Sequence, residues 1–308
     1  MQDVHTSVGE HAQSQSPVSA RISANQVVDV GRTDEKSATT PARKYGWLSA
    51  LRSYFVFDLL IWSYTVVLGI VSIPVSLFGE KSRILHAFAR FWSWLIMKTI
   101  LSPVKVTGLE KIDTSKAHVY AVTHASALDI PVLYVNLPFE FRILFKKELL
   151  SYPIVGWHLK RSGQVCIDQQ RPTQSIAHIR SAVKSLQAGM PLVIFPEGGR
   201  TPDGEIKPFM PGAFYLAIKA QVDIVPIALV GTFELLPMNT YHIKSRPLEM
   251  RIGEPISTAG YSLREMETLS EKVHHAMEDL YYGRDPTGIN DAYVGSDASV
   301  QTDERSST

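Results

Sequence analysis

Residues Val119-Tyr-Ala-Val-Thr-His124-Ala-Ser-Ala-Leu-Asp129-Ile-Pro131 hold the key to the fold, because an apolar run breaks there into a short polar cluster before a proline. The run Val119–Thr123 has the composition of a buried β-strand. Pro131 is tolerated in a helix only within its first turn, so a helix should begin near Asp129. His124 and Asp129 then sit on a strand-to-helix loop, where a carboxylate can orient an imidazole that removes a proton from a hydroxyl. The same spacing also suits an N-cap aspartate beside a surface histidine, and the spacing does not separate the two readings.

A strand ending in a polar cluster recurs downstream. Pro191-Leu-Val-Ile194 leads into Phe195-Pro-Glu-Gly-Gly-Arg200. Successive glycines let main-chain amides converge on an anion, and Arg200 offers a bidentate donor. A tight turn carrying a Glu197–Arg200 ion pair is the other reading. Further strands are expected at Phe141–Phe145, Gln164–Ile167, Ile224–Val230 and Leu248–Ile252. Between them Ile176, Ile179, Val183 and Leu186 recur at helical spacing. Ser262-Leu-Arg-Glu265 has the form of a capping box opening a helix through Met277 to Gly283. Strands alternating with helices predict an α/β fold: a mixed, mostly buried sheet flanked by helices. Pro226 inside a strand predicts an edge position or a bulge.

Upstream, Phe55–Phe78 is apolar except for Asp58. As a helix it would rise about 36 Å at ~1.5 Å per residue, enough to cross a bilayer core. Some fifty residues precede it, which is unlike a cleaved signal peptide. Ile84–Ile100 mixes Trp92 and Trp94 with Arg90 and Lys98, as a helix lying at the lipid interface does. Basic residues flank the first segment on both sides, so a full span and a hairpin dipping into one leaflet both fit. Residues 1–44 and 284–308 are polar and lack apolar periodicity, which predicts disordered tails. The expected organisation is thus a tail (1–44), membrane-embedded helices (45–102), a catalytic domain (103–283) and a tail (284–308).

A net charge of +1 without a long Lys/Arg run gives no basis for nucleic-acid binding. The lone Cys166 excludes an intrachain disulfide, and no His/Cys/Asp cluster has metal-ligand spacing, so no metal is expected. Lys146-Lys147 and Arg171 are isolated basic positions that could serve an anionic ligand. Ser126 and Cys166 are the only candidates for a covalent route, and the chain has no Gly-x-Ser-x-Gly elbow.

Taken together, four ordered stretches resemble the glycerolipid acyltransferases, specifically those acting on lysophosphatidic acid. The first is His124-x4-Asp129 with Ser126. The second runs from Phe145 through Lys146-Lys147-Glu148-Leu149, Pro153 and Gly156 to Ile167-Asp168. The third is Phe195-Pro-Glu-Gly-x-Arg200 and the fourth Val225-Pro-Ile227. Thr123, Gly199 and Gln169 depart from the family's usual Asn, Thr and Arg. The resemblance implies that His124 deprotonates the acceptor hydroxyl and Asp129 orients His124. It implies that Glu197, Gly198, Gly199 and Arg200 hold the glycerol phosphate, with Lys147 and Arg171 as further candidates. The implied reaction moves an acyl group from acyl-CoA or acyl carrier protein to the sn-2 hydroxyl of 1-acyl-sn-glycerol-3-phosphate, in phospholipid biosynthesis. It needs no cofactor beyond that co-substrate. The implied site is a membrane facing the cytoplasm, the inner membrane if the source is bacterial. Another lysolipid acceptor, or a catalytically silent lipid-binding protein, is the alternative.

Overall fold

The computed structural model describes residues 46–75, 81–168 and 176–283. Both expected tails, the end of the apolar segment at 76–78, and Gln169 and Arg171 lie outside the described residues. Seven strands form one sheet in the order β1-β7-β6-β2-β5-β3-β4. They are β1 (Val104–Thr107), β2 (Val119–Val122), β3 (Arg142–Lys146), β4 (Val165–Ile167), β5 (Leu192–Ile194), β6 (Ile224–Val230) and β7 (Leu248–Ile252). All neighbours pair in parallel except β6 and β7. The five strands β6, β2, β5, β3 and β4 therefore end on one edge, the edge at which α/β sheets bind ligands.

Alternation along the central strands sorts side chains into two cores. Tyr120 and Val122 of β2, Val193 of β5, and Val225, Ile227 and Leu229 of β6 face one side. They meet α3 (Lys81–Ile100) through Ile96, Met97 and Ile100, and α4 (Asp129–Asn136) through Val132 and Leu133. Val119, Ala121, Leu192, Ile194, Ile224 and Ala228 face the other. There they meet α6 (Ile176–Gln187), α7 (Tyr215–Ala220) and α9 (Met266–Tyr282). Strands buried on both faces read as continuous apolar runs, which is why β2, β5 and β6 were visible in the sequence. The capping box closes as expected: Ser262 N and Oγ donate to Glu265 Oε2 at 2.9 and 2.7 Å.

Of the two expectations for Pro226, the edge position is wrong and an irregularity in the pairing is present. β6 is not an edge strand; it lies between β7 and β2. The irregularity sits on the opposing chain. Ile224 pairs with Ile256 and Ile227 with Ile252, so two residues of β6 face three of the returning segment. The missing proline N–H falls within that step, while the Pro226 carbonyl still accepts from Gly253 N at 2.9 Å.

At the N-terminus, α1 (Trp47–Arg52), a π-helical turn (Ser53–Asp58) and α2 (Leu59–Val75) follow one another. Over Trp47–Pro74 they form a helix long and apolar enough to cross a membrane, with only 11% of its most apolar window buried. Trp47, Phe55, Trp62, Val67 and Ile70 are exposed along it. The widened turn coincides with Ser53, whose buried hydroxyl donates to Tyr241 O and accepts from Ile243 N. α3 turns Leu85, Ile96, Met97 and Ile100 into the protein and leaves Phe91 and Trp94 outside, their rings stacked. An apolar cavity of about 200 Å³ lies where α2 and α3 meet the sheet. Its lining includes Leu68, Phe88, Trp92, Ile130, Phe145 and His158.

Candidate active site

His124 follows β2 and Asp129 is the first residue of α4. The turn Ala125–Leu128 curls so that Asp129 Oδ2 meets His124 Nδ1 at 2.9 Å. The same oxygen accepts from Ala125 N at 2.9 Å and Ser126 N at 2.8 Å. Two main-chain donors and a helix N-terminus thus hold the carboxylate in place. Its side chain is fully buried, whereas His124 keeps 17% of its side chain exposed. With Nδ1 donating to Asp129, the ring is fixed in the tautomer whose Nε2 carries the free lone pair. Phe195 stacks on the imidazole, with ring centroids 4.1 Å apart, and blocks its rotation from one face.

The adjacent strand β5 supplies the second half of the site. Phe195 O accepts from Gly198 N at 3.0 Å, and Gly198 adopts φ +71°, a conformation that suits glycine. The turn is closed to its sequel by Met210 N donating to Pro196 O at 2.8 Å. Glu197 does not face a ligand. One carboxylate oxygen accepts from His124 N at 2.7 Å and the other from Lys207 N at 3.2 Å, and the residue is buried. Burial pushes its carboxyl above the usual carboxylate range. A carboxylate turned inward onto main-chain amides braces the two loops; it cannot also hold a phosphate, which it would repel. The expected role of Glu197 is corrected accordingly.

Above Gly199 two ammonium groups converge. A methyl added to that glycine would lie 3.5 Å from Lys146 Nζ and 3.9 Å from Lys207 Nζ. Lys207 Nζ also donates to the Arg200 carbonyl at 3.2 Å. Gly198, Gly199 and Arg200 therefore share one loop with Lys207, and Lys146 reaches that loop from the end of β3. Lys147 points elsewhere, its ammonium 3.1 Å from Asp168 Oδ2. Lys146, the last residue of β3, is the member of the pair that reaches the site. Lys207 was missed because it lies ten residues beyond Glu197 in an irregular loop with no local pattern.

Neither candidate nucleophile is set up to attack. Ser126 is buried, donates to Leu236 O at 2.9 Å and accepts from Leu128 N at 3.2 Å. Burial raises the Cys166 thiol above its ordinary range, which disfavours a thiolate. Among the described residues, no group of three or more His, Cys, Asp or Glu is placed to hold a metal.

Residues 103–230 match the acyltransferase family model, and this interval holds every site residue described above. The chain carries an acyltransferase-family domain over residues 103–230. It is 31% identical over 232 residues to a chloroplastic 1-acyl-sn-glycerol-3-phosphate acyltransferase of Arabidopsis thaliana, covering 72% of this chain and 64% of the relative. It is 25% identical over 237 residues to the alpha form of the human enzyme of that name, covering 76% and 84%. The chain thus spans just under two thirds of the length of the Arabidopsis protein. Its fold is similar to that of the 1-acyl-sn-glycerophosphate (LPA) acyltransferase of Thermotoga maritima. There the TM-score is 0.62 at 22% identity, over 76% of this chain and 95% of the other.

Proposed function

We propose that this acyltransferase moves an acyl group from acyl-CoA or acyl carrier protein to the sn-2 hydroxyl of 1-acyl-sn-glycerol-3-phosphate, giving phosphatidic acid. The observation that carries the reading is a histidine oriented by a buried carboxylate, on the same sheet edge as two lysine ammonium groups converging over Gly199. His124 Nε2 takes the proton from the acceptor hydroxyl as its oxygen attacks the thioester carbonyl carbon. A carbon–oxygen bond forms, the carbon–sulfur bond breaks, and the thiolate leaves with the proton from the imidazolium. Asp129 stabilises the imidazolium in between. Lys146, Lys207 and Arg200 supply charge for a phosphomonoester, and Gly199 leaves room for it. The reaction so written needs no cofactor beyond the acyl thioester.

The apolar cavity supports an acyl chain as part of the substrate, since Ile130 in its lining is the neighbour of Asp129. The exposed apolar helix over Trp47–Pro74 supports work at a bilayer. A thioester made in the cytosol implies an active site facing the cytoplasm, at the inner membrane if the source is bacterial.

A panel of acceptors tests the reading. Membranes carrying the protein are given one acyl-CoA and, in turn, lysophosphatidic acid, lysophosphatidylcholine, lysophosphatidylethanolamine and monoacylglycerol. The expected result is a kcat/KM at least tenfold higher for lysophosphatidic acid. Equal rates across the panel would reject the phosphomonoester assignment, and transfer to another lysolipid alone would reassign the acceptor.

A further inference from the structure

The loop from Glu197 to Met210 carries Gly199, Arg200 and Lys207, and it contains no helix or strand. Its base is closed by Met210 N on Pro196 O, and Thr201 N donates to His124 O at 2.9 Å. Its tip, Asp203 to Glu205, is held from outside. Tyr281 Oη, near the end of α9, donates to Gly204 O at 2.9 Å. The Tyr282 hydroxyl bonds the Glu205 carboxylate. Phe233 presses on Gly204 so closely that a methyl there would lie 2.8 Å from its Cδ1, and Gly204 takes φ +92°. These three contacts come from residues nearly 30 and nearly 80 positions away in the sequence, outside every stretch named for catalysis.

Such a latch has a physical reason. Two ammonium groups within 3.9 Å of one point repel each other until an anion arrives. A loop that carries one of them, Lys207, against Lys146 on β3 needs neutral anchors elsewhere if it is to stay preformed. Tyr281 supplies one: burial pushes its phenol well above its ordinary range, so at cytosolic pH it remains a hydroxyl donor. We infer that Tyr281 is a positioning residue for the acceptor's phosphate, holding the tip of the 197–210 loop so that Arg200 and Lys207 are in place before the acceptor binds. The inference rests on the phosphomonoester reading above and adds the residue that preorganises it.

Tyr281→Phe tests it, since the ring stays and only the hydroxyl goes. The full-length protein in detergent micelles is assayed with lysophosphatidic acid and acyl-CoA. Separately, it is treated briefly with trypsin, followed by mass spectrometry of the cut after Arg200, the trypsin site in this loop, since Lys207 is followed by Pro208. The variant should raise KM for lysophosphatidic acid about tenfold, the value of one lost hydrogen bond. It should leave kcat and the acyl-CoA KM within about threefold, and speed cleavage in the loop severalfold. An unchanged acceptor KM, or equal rises in both KM values, overturns the positioning role. If the parent does not acylate lysophosphatidic acid, the phosphate reading itself has failed. The trypsin arm still decides the latch, and cleavage equal to the parent's overturns it. Tyr282→Phe removes the solvent-exposed bond to Glu205 and should have less than a third of the effect.

Discussion

Asp129→Asn is the most informative single change, because the structure specifies what each atom would lose. The amide oxygen can still accept from Ala125 N and Ser126 N, so the turn should persist. The amide NH2 would take the place of Oδ1, a fully buried atom with no hydrogen-bond partner, which puts an unsatisfied donor there. The negative charge 2.9 Å from His124 Nδ1 disappears. Unit charges centred ~4 Å apart at an effective dielectric of ~20 interact by about 4 kcal/mol. That attraction exists only while the imidazole is protonated, so it acts in the transition state and not on substrate binding. The expected result is a drop in kcat of ~10³, with both KM values within about threefold. The assay is acyl transfer to lysophosphatidic acid, with thermal unfolding to check that the variant folds. His124→Ala should cost ~10²–10⁴ in rate, the usual worth of a general base. Because Asp129 acts through His124, the double variant should be no slower than His124→Ala alone. A kcat for Asp129→Asn within tenfold of the parent, in a folded protein, would refute the assignment. Additive losses in the double variant would show that Asp129 touches the reaction independently.

Other changes separate neighbouring roles. Ser126→Ala should keep activity within about tenfold while losing ~2 kcal/mol of stability, because two buried hydrogen bonds go. Complete loss in a folded variant would instead point to an acyl-serine. Lys207→Ala should raise the acceptor KM by ~10–100-fold, the cost of a charge-assisted contact, since its main-chain bond to Glu197 is retained. Lys147→Ala should change it less than threefold, because its partner is an aspartate and half its side chain is in solvent; the reverse ranking would sink the ammonium pair over Gly199. His86 packs between Tyr134 and Phe141, and burial lowers its imidazole to about 4, partly offset by Glu140. The unfolded chain takes up that proton near pH ~6.5. Stability is therefore full above that pH and falls as the pH drops towards 4, by at most ~2 kcal/mol at pH 5. Between pH 7 and 5 the parent should lose ~4–8 °C more in Tm than His86→Phe. Parallel losses in the two proteins would refute this.

How much of this was legible in the sequence depended on whether the physical cause was local. β2, β5 and β6 announced themselves because strands buried on both faces need uninterrupted apolar residues, and Pro131 marked the start of α4 because proline constrains only its own turn. The His124–Asp129 contact followed from that start, being a matter of five residues and one loop. β1 went unseen: Val104-Lys-Val-Thr107 is four residues with every second one exposed, too short for alternation to stand out. Pro226 left an edge and a bulge both open because a sequence shows the missing donor but not the extra residue on the strand opposite. The anion site divides along the same line. Gly198 could be read from its own backbone need, whereas the lysine that reaches Gly199 depends on which way β3 presents Lys146 and Lys147. Asp168, across the β3–β4 pair, takes Lys147 and thereby leaves Lys146 to the site. Glu197 was misread for a related reason. A carboxylate beside two glycines and an arginine looks like part of a polar cluster, and only the meeting of β2 with β5 shows that His124 N and Lys207 N have claimed both its oxygens. The chemistry of this protein is written in short motifs, but its geometry is set by contacts between strands that the chain visits out of order.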